Sequence, residues 1–411
     1  MNDVEVTQGD GEYIFHWTEP DVTFQVTDLW KEHHQTHCYI QVTCDLPGIE
    51  PYLHGASFNI SSTSTRKTLA KELEERLEAP WRDWIEAICQ YVYQAERQGE
   101  PIVEISPQKP LPEEEQYRLF PLLPQGQNAL IYGDGGSFKS YIAGLFSVMV
   151  ALPTEGLKLP TPIYGKVLYL DYETSQDEHE WRLWRIVSGL GHDPDHFVSV
   201  YYQRRSSPIT EGIAELRRFV RTNDIGFIVV DSVAQACGGD IEKQEPVSQM
   251  CNDLRSLRTT NLLLGHVPKN DSGDSRRGKT PYGSAFWRNN VRSAWEAKAT
   301  QEPGASEADL GLFHRKANNS KIFKPIGVHI LFEGDSVFFQ RNNLRNVPEL
   351  AGGLSVSDRI LGCLKDHGLL GVKEIVDLLE GNANTISISL TRLQKRGLVV
   401  NLSGKWGLAA R

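Results

Sequence analysis

The sequence predicts an α/β protein whose central part is a mainly parallel sheet with helices on both faces. Three observations support this fold class. A short apolar strand runs into a glycine-rich turn and an apolar helix between residues 129 and 147. Apolar strands then alternate with helical patterns over the following 200 or so residues, as in doubly wound sheets. Three of those strands end in polar side chains, at Glu173, Asp231 and His266.

Length and charge limit the classes of protein to consider. The 411 residues suffice for two or three domains, with 40% hydrophobic and 23% charged residues as in ordinary globular proteins. The net charge of −10 means that any nucleic-acid site must be a local basic patch. Six scattered cysteines fit reduced thiols. No apolar run approaches the roughly 18 residues that span a bilayer, and no signal peptide is evident. We therefore expect a cytoplasmic protein without a membrane segment.

The N-terminal region, residues 1–105, has the patterns of a small α+β domain. Alternating apolar residues predict strands at 22–26 and 38–44, with a candidate third strand at 58–60. Helical patterns follow at 68–77 and 84–92. Proline and acidic residues then predict a linker over residues 106–118, before a core domain at 119–345.

A group of histidines and cysteines in this region could suggest a metal site. Neighbouring residues of a strand point to opposite faces, and the spacing matches zinc motifs only loosely. Packing and surface roles are therefore favoured over a metal for His33, His34, His37, Cys38 and Cys44.

The glycine-rich turn has the order of a phosphate-binding loop. Small residues let several backbone N–H groups converge on one anion at a helix N-terminus. Lys139 would reach the phosphates and Ser140 would ligate Mg²⁺. Phe138 stands where the motif has its second glycine, and a glycine-rich turn with a chance Lys-Ser is the alternative. The predicted nucleotide-binding residues are Gly133, Asp134, Gly135, Gly136, Ser137, Phe138, Lys139 and Ser140.

The later strand ends belong beside this loop, since ligands of open α/β sheets lie outside the carboxyl ends of the strands. Three such ends after one phosphate loop make a stronger signal than any of them alone. Trp181 and Trp184, on the helix after Glu173, are expected to be core residues rather than surfaces on which a base stacks.

Residues 120–340 resemble the RecA/DnaB-type ATPases, and within them the RepA-like branch of plasmids, phages and mobile elements. The resemblance rests on the loop, the Glu and Asp strand ends, and four further features. These are the G-H-x-x-K segment Gly265–Lys269, the Gly283-Ser-Ala285 segment, Arg288, and a basic element that begins at Arg315-Lys316 but lacks the family's final arginine.

The resemblance implies a RecA-like fold that hydrolyses ATP with Mg²⁺, in a ring-shaped homo-oligomer that we expect to be a hexamer. Lys139 and Ser140 would hold phosphate and Mg²⁺, with Asp231 in the Mg²⁺ shell. Glu173 would polarise the attacking water and His266 would sense the γ-phosphate. Arg315 or Lys316 would act in trans on the neighbouring subunit's nucleotide, because phosphoryl transfer needs charge stabilisation; a solvated surface pair is the alternative.

The segment 269–279 takes the place of the loop that reaches single-stranded DNA in the channel of RecA-type rings. It is rich in glycine, serine and arginine, and Arg276, Arg277 and Lys279 could each contact a phosphate. A solvent loop without this role is an equal alternative.

The C-terminal domain, residues 354–411, resembles a winged helix. Helical patterns cover 357–364 and 372–379, then Asn384 is expected to cap a helix over 385–396, and a hairpin follows. Basic residues outnumber acidic ones in this domain, which favours duplex DNA over a protein partner. The predicted DNA contacts are Arg392, Lys395 and Lys405.

Together these features predict a DNA-dependent ATPase, a helicase or translocase in mobile-element replication or recombination. The alternative is a DNA-binding regulator or loader in which ATP switches assembly without unwinding.

Overall fold

The computed structural model describes residues 4–9, 11–32, 35–98, 104–154, 156–160, 163–197, 199–267, 284–318 and 320–409. The chain divides into two compact units. The first comprises residues 1–110 and 211–222, and the second comprises residues 111–210 and 223–411. Among the described residues, no helix is both long and apolar enough to cross a membrane.

The first unit begins with a five-stranded antiparallel sheet in which neighbouring strands are consecutive in sequence. Two helices follow the sheet. The strands are β1 (Val4–Gly9), β2 (Glu12–Trp17), β3 (Val22–Glu32), β4 (Gln35–Cys44) and β5 (Tyr52–Asn59), and the helices are α1 (Thr63–Glu74) and α2 (Trp81–Gln98).

The helices cover one face of this sheet, because alternate strand residues are apolar and buried. Tyr13, Phe15 and Trp17 of β2 belong to the shared core, and Trp17 stacks on Trp84 of α2 with ring centroids 4.4 Å apart. The predicted α+β character is confirmed. The prediction missed β1 and β2, although the alternation in β2 is visible in the sequence.

The second unit contains a nine-stranded sheet with the order β10-β9-β11-β12-β8-β13-β14-β15-β16, and a separate pair β6-β7. Its strands are β6 (Tyr117–Leu119), β7 (Leu123–Pro124), β8 (Asn128–Gly133), β9 (Lys166–Asp171), β10 (Val200–Arg204), β11 (Ile225–Asp231), β12 (Thr260–His266), β13 (Ser293–Thr300), β14 (Glu307–Ala317), β15 (Ile326–Glu333) and β16 (Ser336–Asn342). Its helices are α3 (Lys139–Ala151), α4 (Gln176–Gly189), α6 (Val233–Ala236), α7 (Gln244–Ser256), α8 (Ser284–Asn290) and α9 (Pro348–Ala351), while α5 (Ile213–Asn223) lies between β10 and β11 in the sequence.

The strands from β10 to β13 in this order run parallel, and the last three add antiparallel pairs. All six residues of β8 are buried, as expected where helices cover both faces of a parallel sheet. The register places Gly133 of β8 opposite His266 of β12, and Asp231 of β11 opposite Asp171 of β9. The predicted α/β fold with a mainly parallel sheet is confirmed.

Helix α4 corrects one expectation. Trp181 and Trp184 are 53% and 43% exposed, so they are not core residues. The buried positions of this helix are instead taken by His179, Arg182, Arg185, Ile186 and Val187. Apolar residue type alone suggests the opposite assignment.

Helix α5 connects β10 to β11 in sequence, yet residues 211–222 cluster with the first unit. Arg221 of this helix pairs with Glu12 of β2 at 3.0 Å between Nη2 and Oε2. Arg218 lies 3.7 Å from the carboxylate of Asp28. A helix that the chain order assigns to the core domain is therefore part of the N-terminal unit.

The C-terminal residues form three helices and a three-stranded antiparallel sheet around a small apolar core. The elements are α10 (Val356–His367), β17 (Leu370–Gly371), α11 (Val372–Leu379), α12 (Ala383–Lys395), β18 (Val399–Leu402) and β19 (Lys405–Leu408). Helix α12 is capped by Asn382, which accepts a hydrogen bond from the Thr385 N–H, and not by Asn384 as expected. The helix starts earlier because Ala383 and Asn384 already have helical backbone.

Candidate active site

The turn between β8 and α3 has a backbone that small residues permit. Gly136 has φ of 76°, in the left-handed region that favours glycine. A side chain on Gly133 would collide with the backbone carbonyl of Ala297 on β13. These two positions explain the glycines at the start and in the middle of the loop.

Phe138 also has a left-handed backbone, with φ of 56° and ψ of 21°. The motif places glycine here because an L-residue in this conformation costs about 1 kcal/mol. The Phe138 ring packs against Phe332 of β15, with centroids 5.9 Å apart, and near Tyr141 of α3. Apolar packing therefore offsets the backbone cost that the missing glycine introduces.

The side chain of Lys139 lies inside the turn and is 7% exposed. Its ammonium donates hydrogen bonds to the carbonyl oxygens of Gly133 at 3.1 Å and Asp134 at 2.8 Å. It also lies 3.2 Å from the Ser137 hydroxyl. Burial lowers the pKa of Lys139, while the nearby carboxylates of Asp231 and Glu173 oppose that shift. The loop thus holds one buried cation where phosphate oxygens could exchange with the carbonyl contacts.

The N-terminus of α3 has no side-chain cap, so the first N–H groups of a 13-residue helix point toward the same turn. Backbone donors, a positive helix end and a buried lysine together form an anion site. The triphosphate of a nucleotide fits this donor set.

Two oxygen-bearing side chains beside the loop fit Mg²⁺. Asp231, at the end of β11, is 5% exposed. Burial raises its pKa, although hydrogen bonds from Ser140 and Tyr169 oppose the shift. Tyr169 of β9 donates to Asp231 Oδ2 at 2.8 Å. A carboxylate and a hydroxyl are ligands that Mg²⁺ prefers, and a cation would favour the ionised form of the buried Asp231. Ser140 and Asp231 would therefore hold Mg²⁺, which would neutralise phosphate charge.

Glu173 and His266 come together across the carboxyl edge of the sheet. Glu173 Oε1 lies 3.2 Å from His266 Nε2, although the two residues are 93 positions apart. This hydrogen bond is the largest cause of a lowered pKa at Glu173. Glu173 is therefore ionised near neutral pH, as a group that polarises water must be.

The basic element makes contacts within its own chain. Arg315 of β14 pairs with Glu296 of β13, at 2.7 Å between Nη2 and Oε2. Glu296 is 1% exposed. Lys316 donates to the carbonyl oxygen of Val291 at 2.8 Å and to that of Arg288, at the end of α8. A role for either residue in a neighbouring subunit stays a prediction.

The Arg315–Glu296 pair predicts a stability effect that sequence reasoning does not. Arg315→Ala would remove one of the two cations beside the buried Glu296 carboxylate. Lys298 would remain, with its ammonium 3.4 Å from Glu296 Oε1. We expect the free energy of unfolding to fall by about 1–3 kcal/mol, measured by urea denaturation. The double variant Arg315→Ala/Glu296→Gln should recover part of the loss. Equal midpoints for wild type and Arg315→Ala would contradict this prediction.

The remaining predicted DNA contacts separate into two groups. Arg276, Arg277 and Lys279, like Lys269, lie outside the described residues. Arg392 and Lys395 are exposed on α12, and Lys405 is exposed at the start of β19. The C-terminal basic residues thus belong to the small helical part of the second unit and not to the nucleotide site.

Sequence reasoning misses two residues of the site. The sequence pattern places Tyr169 in a buried strand without assigning it a role, and it places Glu296 in no motif. A signal for Glu296 is present, since it is a lone acid within the apolar stretch of β13. Such a residue is seldom buried without a partner.

The family comparison agrees with this geometry. The family model of the AAA domain matches residues 91–272, which include the loop, Glu173, Asp231 and His266. A crystal structure of a KaiC-like protein from the hyperthermophilic archaeon Pyrococcus horikoshii OT3 is similar at 13% sequence identity and a TM-score of 0.40. That similarity covers 55% of this chain and 94% of the other. A search of curated proteins found no match. The family match covers less than half of the chain; together with the loop and the strand order it supports an α/β domain that carries a phosphate loop.

Proposed function

We propose that this protein is a DNA-dependent ATPase of the RepA-like branch, a ring-forming helicase or translocase in mobile-element replication or recombination. The branch assignment rests on the motifs at His266, Arg288 and Arg315. The proposal of DNA as partner rests mainly on the charge of the C-terminal residues.

That charge is distributed unevenly. Residues 381–411 contain no acidic residue and five basic ones, in a chain of net charge −10. Helix α12 buries Ile386, Ser389, Leu390 and Leu393. Its other side exposes short polar and basic side chains, as a helix that enters the major groove would. We propose that these elements form a winged helix that binds duplex DNA through Arg392, Lys395 and Lys405.

A second function is supported by exposed apolar residues on the same elements. Ile388 of α12 is 53% exposed and Leu402 of β18 is 55% exposed. Apolar side chains on this surface favour a protein partner. The second function is a DNA-binding regulator or loader in which ATP switches assembly without unwinding, and the C-terminal residues would then contact a protein.

Two measurements separate these functions. Turnover of ATP should rise in the presence of single-stranded DNA, and a forked duplex should be unwound, if the protein is a motor. Slow turnover that does not respond to DNA, without strand displacement, would instead support the regulator or loader.

The duplex-binding surface has its own test. Arg392→Ala/Lys395→Ala should weaken duplex binding at about 0.1 M salt and make the log–log salt dependence shallower by about two, because two side chains no longer neutralise a phosphate. The control Lys365→Ala/Lys373→Ala removes the same charge from exposed sites on α10 and α11 and should leave both quantities unchanged. Equal salt slopes for the two double variants would contradict a duplex-binding role for α12.

We further propose that the subunits share their nucleotide sites, with Arg315 or Lys316 reaching the neighbour's nucleotide in a hexameric ring. Either side chain would exchange its present contact for the γ-phosphate. Turnover per subunit should then rise with protein concentration until assembly is complete. Turnover that is independent of concentration, in a monomer, would argue against a shared site.

A further inference from the structure

Asp171 is a buried carboxylate two residues before Glu173. It is the last residue of β9 and is 0% exposed, whereas Glu173 lies in the exposed turn that leads into α4. Asp171 lies opposite Asp231 on the neighbouring strand, at the carboxyl edge of the sheet. As a carboxylate two residues from Glu173, Asp171 is a second candidate proton acceptor, and its surroundings decide which role it can take.

The carboxylate of Asp171 is engaged by the backbone of the turn that carries Glu173. Oδ1 accepts the N–H of Glu173 at 3.0 Å and that of Thr174 at 3.2 Å. Oδ2 lies 3.1 Å from the same Thr174 N–H and accepts the Thr174 hydroxyl at 3.0 Å. One side chain therefore fixes two consecutive peptide groups, including the peptide N–H of the proposed water-polarising residue.

Two further elements hold Asp171 itself. Tyr202 of β10 donates its hydroxyl to Oδ2 at 2.8 Å, and His179 Nε2 of α4 lies 3.5 Å from the same oxygen. Burial would raise the pKa of Asp171, but hydrogen bonds from the Glu173 N–H, Tyr202 and the Thr174 N–H lower it overall. The carboxylate is thus kept ionised by donors from β10 and from its own turn.

This arrangement is unsuited to accepting a proton from water. Asp171 has no exposed surface, and both of its oxygens already accept hydrogen bonds. It is suited to holding a neighbour in place, since a shift of about 1 Å in a reacting group can cost on the order of 10²-fold in rate.

We infer that Asp171 is the positioning residue for Glu173, with Tyr202 anchoring Asp171 from the adjacent strand. This inference rests on the proposed role of Glu173 in polarising water. The substitution Asp171→Asn keeps the volume of the side chain but replaces one acceptor oxygen by an N–H donor. That donor would face the hydroxyl or peptide N–H groups that now donate to the carboxylate.

A double-mutant cycle tests the inference. ATP turnover by the full chain is measured for wild type, Asp171→Asn, Glu173→Gln and the combination, with single-turnover kinetics for slow variants. We expect Asp171→Asn to lower kcat about 10- to 100-fold while KM for ATP changes little. In the Glu173→Gln background the same substitution should have no further effect, because Asp171 acts through the side chain that is already disabled.

Each outcome decides a different question. Multiplicative losses in the double variant, or wild-type kcat for Asp171→Asn, would overturn the positioning role. Full turnover by Glu173→Gln would instead overturn the role proposed for Glu173 itself.

A second variant covers the case in which Asp171→Asn does not fold. Tyr202→Phe removes one hydroxyl and should lower kcat severalfold in the wild-type protein. In the Glu173→Gln variant the same substitution should leave kcat unchanged. Tyr201→Phe, at the neighbouring position of β10, is the matched control and should leave kcat unchanged. Equal kcat for Tyr202→Phe and Tyr201→Phe would contradict the anchoring of Asp171 by Tyr202.

Discussion

Replacing Lys139 by alanine should abolish most ATP hydrolysis, with kcat lower by on the order of 10³-fold or more. The reason is the position of its ammonium, buried within the turn and held by the Gly133 and Asp134 carbonyls. Phosphoryl transfer depends on positive charge fixed near the phosphates, and in this turn the buried lysine would supply it. Nucleotide binding should weaken as well, because the same ammonium would also interact with the phosphates of bound ATP before the reaction.

The measurement combines steady-state ATP turnover with nucleotide binding by calorimetry. Lys166→Ala is the matched control, since Lys166 is exposed at the amino end of β9, away from the loop. Urea unfolding of Lys139→Ala should show an intact cooperative transition, because removing a buried charge leaves its carbonyl partners near other donors of the turn. Wild-type turnover in Lys139→Ala would remove the loop from the catalytic site.

Replacing Glu173 by glutamine should separate binding from hydrolysis. The amide has nearly the same shape but cannot accept a proton, so kcat should fall by about 10²- to 10⁴-fold. The affinity for ATP should stay close to that of wild type, because Glu173 lies outside the glycine-rich loop that would bind the phosphates. The amide can still form a hydrogen bond with His266, which keeps the geometry at the edge of the sheet.

The control for this prediction is Glu180→Gln. Glu180 is an exposed residue of α4 that accepts a hydrogen bond from Gln176, and its substitution should leave kcat unchanged. If Glu173→Gln hydrolyses ATP as fast as wild type, another group activates the water. Asp171 would be a poor choice for it, given its burial and its occupied oxygens.

Much of the fold is accessible from local sequence patterns. The order of apolar strand, glycine-rich turn and helix identifies β8, the loop and α3, because a phosphate loop is a continuous segment with local backbone requirements. Asp231 and His266 are the last residues of β11 and β12, and all three polar residues are found locally because each follows an apolar run. Glu173, expected at a strand end, lies two residues beyond the end of β9. The helices and hairpin of the C-terminal residues are predicted to within a few positions for the same reason.

Local sequence patterns are enough to identify the glycine-rich loop, the α/β class and the candidate nucleotide-site residues. Which of these residues contact one another depends on the folded chain. Glu173 reaches His266 only through the strand order of the sheet, Arg315 is paired with a buried glutamate from the adjacent strand, and Asp171 is occupied by Tyr202 of the next strand. Helix α5 packs with the N-terminal unit although the chain places it within the core. Local periodicity encodes burial and element type, but contacts between distant segments depend on strand order and packing, which arise when the whole chain folds.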